Sequence, residues 1–297
     1  MIIFKKKFGV SDFLSQLLNY IGKLILNFNR KNLNKYKFPD QIIGFTDELI
    51  TDTINFEGLY EKRELLTLIS WLKPFLPKFY KSTMIDVGAN IGNHTLFFSN
   101  YFSKVIALEP HERIFKVLKL NTEQKKNIQI LKFAASDRNH YSYLKSKMYN
   151  LSGSNLINKK NKLSQKVICK KIDNIIKKTE KINLIKIDVE GHEYEVLKGA
   201  SKIIKKNKPL VLFEHHLNNF KLNVSPTLNL LKKMGYKKFA IISCNPRISH
   251  FDGFLTRIYK KICQLLFNNM SFTVSLQNKI KPDYYPFIIA IPNKYNI

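Results

Sequence analysis

The run Thr83-Met-Ile-Asp-Val-Gly-Ala-Asn-Ile-Gly-Asn-His-Thr95 constrains the fold more than any other stretch of the 297-residue chain. A short apolar segment carries an acid, Asp86. A tight turn follows with Gly88 and Gly92, and then Leu96, Phe97 and Phe98 open a helix-like pattern. A parallel strand hands over to a helix in this way around a nucleotide-like ligand. The glycines let the backbone come close to that ligand, and the helix N-terminus offers unpaired N–H groups. Further on, Lys104-Val-Ile-Ala-Leu-Glu109 ends a second apolar run in a carboxylate. An acid at that place can accept both hydroxyls of a ribose.

The spacing and the charge discriminate between nucleotides. A dinucleotide site would show G-x-G-x-x-G, because its helix must approach a pyrophosphate with no side chain in the way. Here the spacing is G-x-x-x-G, with Asn90 where the second glycine would stand and Asp86 two residues before the turn. A carboxylate repels a pyrophosphate and attracts the ammonium and sulfonium of S-adenosylmethionine. The pattern therefore selects a methyl donor over NAD. No Gly-Lys-Ser/Thr follows the turn, which excludes a Walker phosphate loop.

Further strands are read at Ile128–Phe133, Ile182–Asp188, Pro209–Phe213, Lys237–Ile242 and Phe287–Ile291, making seven with the first two. Strands alternating with helices predict an α/β, doubly wound, mostly parallel seven-stranded sheet with its site at the strands' carboxyl ends. Ser136 and Asp137 follow the third strand, where Asp137 can accept a hydrogen bond from an adenine amino group. Asp86-Val-Gly-Ala-Asn-Ile-Gly92 with Thr95, Leu108-Glu109-Pro110, and Lys186-Ile-Asp-Val-Glu-Gly191 with Glu193 and Glu195-Val-Leu-Lys-Gly-Ala200 resemble the FkbM family of S-adenosylmethionine-dependent methyltransferases. The resemblance covers roughly residues 57 to 240 plus the last strand, and implies a class I methyltransferase fold. It also implies O-methylation of a hydroxyl on a sugar, glycan or related metabolite. By position, Asp86, Gly88, Asn90 and Gly92 would cradle the methionine end, Glu109 the ribose and Asp137 the adenine, with Asp188 beside the transferable methyl. Residues 244–286 depart from the compact family pattern and form an insertion before the last strand.

The net charge of +28 comes from 44 Lys and 6 Arg against 22 acids. Lysine without arginine argues against base-specific reading of nucleic acid, where the planar guanidinium fork is favoured. So much positive charge still attracts anionic lipids, polysaccharides or nucleic acid non-specifically. Cys169, Cys244 and Cys263 form no C-x-x-C pair, so neither a disulfide framework nor a zinc site is indicated and no metal is expected. Asp12, Gln16 and Asn19 interrupt the N-terminal stretch, against a secretory signal, and no apolar run is long enough to span a bilayer. A cytoplasmic protein is expected.

Two additions flank this core. From Ser11-Asp12, Phe13, Leu14, Leu17, Leu18, Ile21, Leu24, Ile25 and Phe28 repeat at helical spacing, with Lys5, Lys6, Lys7, Lys23, Arg30 and Lys31 around them. Residues 1–40 thus read as a basic amphipathic helix (11–28) with a linker (29–40), ahead of a methyltransferase-like domain at 41–297. A second stripe at 254–266 interleaves apolar residues with Arg257, Lys260 and Lys261. Such stripes pack on the domain, form a homodimer contact, or lie on the inner face of an anionic membrane. Residues 155–166 read as a loop joining a hairpin of Tyr141–Leu144 and Lys166–Lys171, with the lysines on a solvated face and Cys169 in the core.

Methyl transfer to a hydroxyl needs proximity, in-line alignment and removal of a proton. The acids and bases at strand carboxyl ends are Asp188, Glu190, His192, Glu214, His215 and His216. Asp188, Glu214 and His215 are the predicted catalytic set, although His215 and His216 must face opposite ways on an extended strand. A role for Asp188 in orienting the methionine end is equally consistent. Asp188-Val-Glu-Gly stands where an Asn/Asp-Pro-Pro-Tyr/Phe loop would mark amino-group methylation, which disfavours nucleic-acid or protein N-methylation. A non-catalytic binding protein that keeps the fold and uses its basic helices at a membrane or in a complex is the alternative. The intact acids and glycines of the cofactor motif favour the enzyme.

Overall fold

The computed structural model describes residues 10–33, 42–46, 48–147, 150–157, 159–162, 164–177, 179–220, 224–245, 253, 255–256, 258–259 and 271–295. The chain falls into two compact units, Met1–Lys62 and Arg63–Ile297. The first holds helices α1 (Val10–Leu33) and α2 (Leu49–Glu57). The expected amphipathic helix therefore continues through residues 29–33, which had been read as linker; Arg30, Lys31 and Leu33 are all good helix formers. The remainder of that linker, and most of the stripe at 254–266, lie outside the described residues.

The second unit is built on a sheet whose central strands are buried on both faces, hence their nearly unbroken apolar sequences. β1 (Thr83–Val87), β2 (Lys104–Leu108) and β3 (Ile128–Leu131) run outward in parallel. A small second sheet follows, of β4 (Ala134–Ala135), β5 (His140–Lys147), β6 (Asn150–Ile157) and β7 (Ser164–Lys170). The chain then returns to the other side of β1 as β8 (Ile182–Ile187) and continues to β9 (Leu210–His215), β10 (Lys238–Asn245), β11 (Ser271–Gln277) and β12 (Tyr285–Ile291). The order across the main sheet is β11-β10-β12-β9-β8-β1-β2-β3, with β12 antiparallel to both its neighbours. Apart from β11 this is the class I methyltransferase arrangement. The sheet has eight strands where seven were expected, because part of the insertion, β11, pairs antiparallel with β10. The hairpin of β5 and β7 forms as read, and Cys169 is buried. Residues 150–157, partly assigned to its loop, form a further strand against β5.

Helices cover both faces. α5 (Asn93–Phe98) and α6 (Glu112–Thr122) follow β1 and β2, and Leu118 of α6 packs on Ala89 and Ala107. α7 (Glu193–Gly199), α8 (Ser201–Asn207) and α9 (Pro226–Lys233) lie on the opposite face over Ile85, Val87, Ile185, Ile187, Val211 and Phe213. Short helices α3 (Lys62–Trp71) and α4 (Leu76–Phe79) lead into β1, with Phe79 stacked on Phe102. The direction of strand addition reverses between β1 and β8. At such a switch point the loops part and leave a crevice at the carboxyl ends.

The crevice is closed from below by a close backbone approach. Gly88 has φ +79°, and a Cβ there would stand 1.8 Å from the carbonyl oxygen of Asp188. The Asp188 N–H donates to the Val87 carbonyl at 3.0 Å, so the two loops leave the sheet in contact. Left-handed backbone plus overpacking should make Gly88→Ala destabilising by about 2–5 kcal/mol. Gly191, at φ +93° with open space around its Cα, is the control. Gly191→Ala should lose only about 1 kcal/mol, the backbone part alone. Urea unfolding midpoints of the two variants measure the difference, and equal midpoints would contradict the tight approach.

Candidate active site

Asp86 and Lys186 are register partners across β1 and β8, so their side chains leave the sheet on one face. Lys186 Nζ lies 3.4 Å from Asp86 Oδ1 and 3.2 Å from Asp188 Oδ2, and donates to the Gly88 carbonyl at 3.2 Å. The other Asp86 oxygen accepts from Thr95 Oγ1 of α5 at 2.6 Å. Asp86, Thr95 and Lys186 are all buried. Asp86 was expected to face the ammonium of a methionine group, with Thr95 also touching the ligand. In the structure these two side chains bond to each other, while Asp86 Oδ1 lies beside Lys186 with no hydrogen-bond partner among the described residues. One ammonium shared by two carboxylates leaves negative charge on Asp188, whose side chain is 37% exposed. Burial acts to raise the Asp188 pKa, but Lys186, His94 and a hydrogen-bonding contact with Glu214 hold it below the ordinary value. His94, on α5 and edge-on to Phe287, is pushed down to about 4 by burial and by Lys186. It is a neutral imidazole at neutral pH.

The turn after β1 is held from β2. Both the Gly88 and Ala89 N–H groups donate to the Leu108 carbonyl at 3.0 Å. Asn90 sits at φ 52°, a left-handed conformation that asparagine tolerates better than most residues. Its N–H donates to Glu109 Oε2 at 3.0 Å, and the His111 N–H donates to Glu109 Oε1 at 2.8 Å. Gly92 leaves room for Leu118 of α6, whose Cδ1 would be 2.9 Å from a Cβ. Glu109 is buried, and that desolvation pushes its pKa up to about 7 against the two N–H donors. Each of its oxygens accepts one of these bonds and has a further lone pair to offer, which suits the two hydroxyls of a ribose.

On β9 the alternation decides between the two histidines. Glu214 points to the Asp188 side, where its Oε1 accepts from the Tyr284 hydroxyl at 2.7 Å and its Oε2 lies 3.2 Å from His216 Nε2. The close contact with the Glu214 carboxylate raises the His216 pKa above its ordinary value, against the effect of burial. His215 faces the other way. It is fully buried between Phe213 and Phe220, 3.4 Å from the Asn219 side chain, and burial pushes its pKa down to about 4. His215, expected at the crevice, therefore lies in the core, and His216 is the histidine beside Glu214.

The residues expected beside an adenine already have partners within the chain. Ser136 is buried with its Oγ 3.0 Å from His192 Nε2, and Asp137 is paired with Lys198 of α7 at 2.9 Å. That pairing holds the Asp137 pKa low. Buried Glu193 accepts from the Gly191 N–H and from Asn219. Sequence reasoning missed Lys186 and Tyr284. The signal for Lys186 was legible, a single charge inside an apolar strand, whereas Tyr284 carries none because it belongs to the insertion. Among the described residues no group of three or more His, Cys, Asp or Glu side chains is arranged to hold a metal ion.

The same stretch of chain identifies the class. Residues 86–238, just over half of the chain, match the family model described as the methyltransferase FkbM domain. The protein belongs to the FkbM methyltransferase family. Over 123 residues it is 30% identical to the hexuronic acid methyltransferase AglP of Haloferax volcanii, covering 40% of this chain and 50% of that protein. The match thus spans about half the length of this curated relative. Among solved structures, the chain is similar to a methyltransferase FkbM from Methylobacillus flagellatus, with 17% identity, a TM-score of 0.36 and coverage of 63% of this chain and 47% of that one. It is also similar to a precorrin-6y C5,15-methyltransferase from Geobacter metallireducens, with 12% identity, a TM-score of 0.39 and coverage of 74% and 85%.

Lys186 is the test of this geometry. Lys186→Met removes the ammonium from a buried carboxylate, which should lower stability at pH 7 by about 3–5 kcal/mol. In the wild type, a depressed Asp188 pKa contributes stability above the unfolded value of 3.8 that is lost as pH falls through the folded value. The deficit of the variant should therefore stay level from pH 7 to about 4 and shrink only as the pH falls below 3.8. Urea melts at several pH values measure it, and a deficit independent of pH would mean that lost packing dominates.

Proposed function

We propose that the protein binds S-adenosylmethionine in the crevice between β1 and β8 and methylates a hydroxyl on a sugar, glycan or related metabolite. The observation that carries the reading is the buried Glu109 carboxylate. It is anchored by two backbone N–H groups beside a glycine-lined turn, each oxygen accepting one of them, which leaves it acceptor capacity for hydroxyl donors. Asp188, whose backbone abuts Gly88 of that turn and which shares one ammonium with Asp86, suits the ammonium and sulfonium of the methionine end. The relative active on hexuronic acid supports a sugar acceptor.

When bound, S-adenosylmethionine supplies an electrophilic methyl group on a good leaving group. The chain's own residues must then orient the acceptor and take its proton. Asp188, held ionised by Lys186, is a weak base and better suited to orientation. His216 has its pKa raised from 6.5 by its contact with Glu214, and an imidazole beside a carboxylate is suited to taking up a proton. Glu214, fixed by the Tyr284 hydroxyl, steadies that ring and its charged form. In methyl transfer His216 would take the proton of the acceptor hydroxyl. Incubation with radiolabelled S-adenosylmethionine and hexuronic-acid oligosaccharides, or cell extracts split into glycan, lipid, protein and nucleic-acid fractions, tests the assignment. Label confined to protein or nucleic acid would overturn it.

Two further outcomes are expected. Hydroxyl donors favour the charged form of Glu109, whose folded pKa is raised. Binding of S-adenosylhomocysteine should therefore strengthen as pH rises through about 7 and level off above it. Glu109→Gln should abolish that slope and weaken binding by about 1.5–3 kcal/mol at pH 8, by calorimetry. His216→Gln should lower kcat about 10²–10⁴-fold with ligand affinity retained, whereas Asp188→Asn should chiefly weaken cofactor binding. The opposite partition, read from saturation kinetics and calorimetry, would return the base to Asp188.

A further inference from the structure

The methyltransferase chemistry leaves one face of the first unit unused. Along α1, Leu14, Leu17, Leu18, Ile21 and Leu24 recur at helical spacing and are 44–62% exposed. Gln16, Asn19 and Lys23 occupy the other side of the helix. A row of large aliphatic side chains left in water on one helix marks an interaction surface. The charge around it selects the partner. Residues 1–33 contain six basic residues and a single acid, Asp12, in a chain of net charge +28. Pairing this face with a second copy would bring two strongly cationic chains together, whereas an anionic lipid surface is complementary to it. No helix among the described residues is long and apolar enough to cross a membrane. A basic amphipathic helix of this kind lies along the interface instead, with its apolar side at the acyl boundary. In the second unit, Leu255, Ile258 and Tyr259 are likewise exposed, in a segment whose sequence interleaves Arg257, Lys260 and Lys261.

We propose that α1 docks the protein in the plane of an anionic phospholipid bilayer, with the Leu14-Leu17-Leu18-Ile21-Leu24 face inserted and the lysines at the headgroups. The full chain should co-sediment with phosphatidylglycerol-containing vesicles at about 0.1 M salt, where charges act over about 10 Å. It should bind pure phosphatidylcholine vesicles far more weakly. The variant Leu17→Gln/Ile21→Gln/Leu24→Gln should bind the anionic vesicles at least about tenfold less tightly, since the inserted apolar area supplies the salt-insensitive part of the binding. Its melting temperature and S-adenosylhomocysteine affinity should be unchanged. Four results would each overturn the proposal: wild-type protein that ignores anionic vesicles, a variant that binds them as well as wild type, a variant with a clearly lower melting temperature, or a wild-type dimer that the substitutions convert to monomer. The readout is independent of methyl transfer, so its failure leaves the proposed activity untouched.

Discussion

A buried ammonium between two carboxylates organises the centre of this protein. Lys186 can sit there only because β1 and β8 pair in register, which brings Asp86 opposite it, and because Gly88 has no Cβ to hold the Asp188 backbone away. The charges and the backbone approach are mutually dependent. Removing the lysine strands a buried carboxylate, and a side chain at Gly88 would push the two loops apart. The turn at 88–92, the inward hydroxyl of Thr95 and the neutral His94 all take their positions from this contact.

The same few strands create three different titration environments within one crevice. Asp188 is held below its ordinary pKa by Lys186, Glu109 is lifted to about 7 by burial, and His216 is raised by its contact with Glu214. Groups pushed apart in this way are suited to separate tasks. In the proposed reaction Asp188 attracts the cation, Glu109 accepts hydroxyl hydrogens and His216 moves a proton. The division follows from where each side chain leaves its strand: Glu214 and His215 are neighbours in sequence, yet one reaches the crevice and the other lies in the core against Phe213 and Phe220.

The additions to the sheet have different relations to the site. The small sheet of β4 to β7 closes over its own cluster of Ala134, Leu144, Val167 and Cys169. The insertion before β12 contributes to the crevice directly, because Tyr284 at its end grips Glu214. A segment that departs from the compact family pattern thereby supplies part of the wall next to the proposed base, where acceptor choice would be made.

Much of the architecture was legible in the sequence because the parallel core is written in continuous apolar runs punctuated by Gly and acids. Asp86 to Thr95, Glu109 and Asp188 were singled out from strand ends, turn spacing and the family resemblance, and the doubly wound sheet followed from the alternation of strand and helix patterns. Pairing between distant segments was not legible. That Lys186 stands opposite Asp86, that His216 rather than His215 meets Glu214, and that Asp137 is paired with Lys198 depend on register and on the face each residue presents. Those are properties of strands brought together from far apart in the chain. β6 and β11 were missed for a related reason: polar edge strands carry little apolar periodicity and are defined by the partner they bond to. Sequence by itself determined the fold class and the residue types at the crevice. Only the tertiary structure decided which charges meet, because the energy of a buried charge depends on the neighbour that folding places within a few ångströms of it.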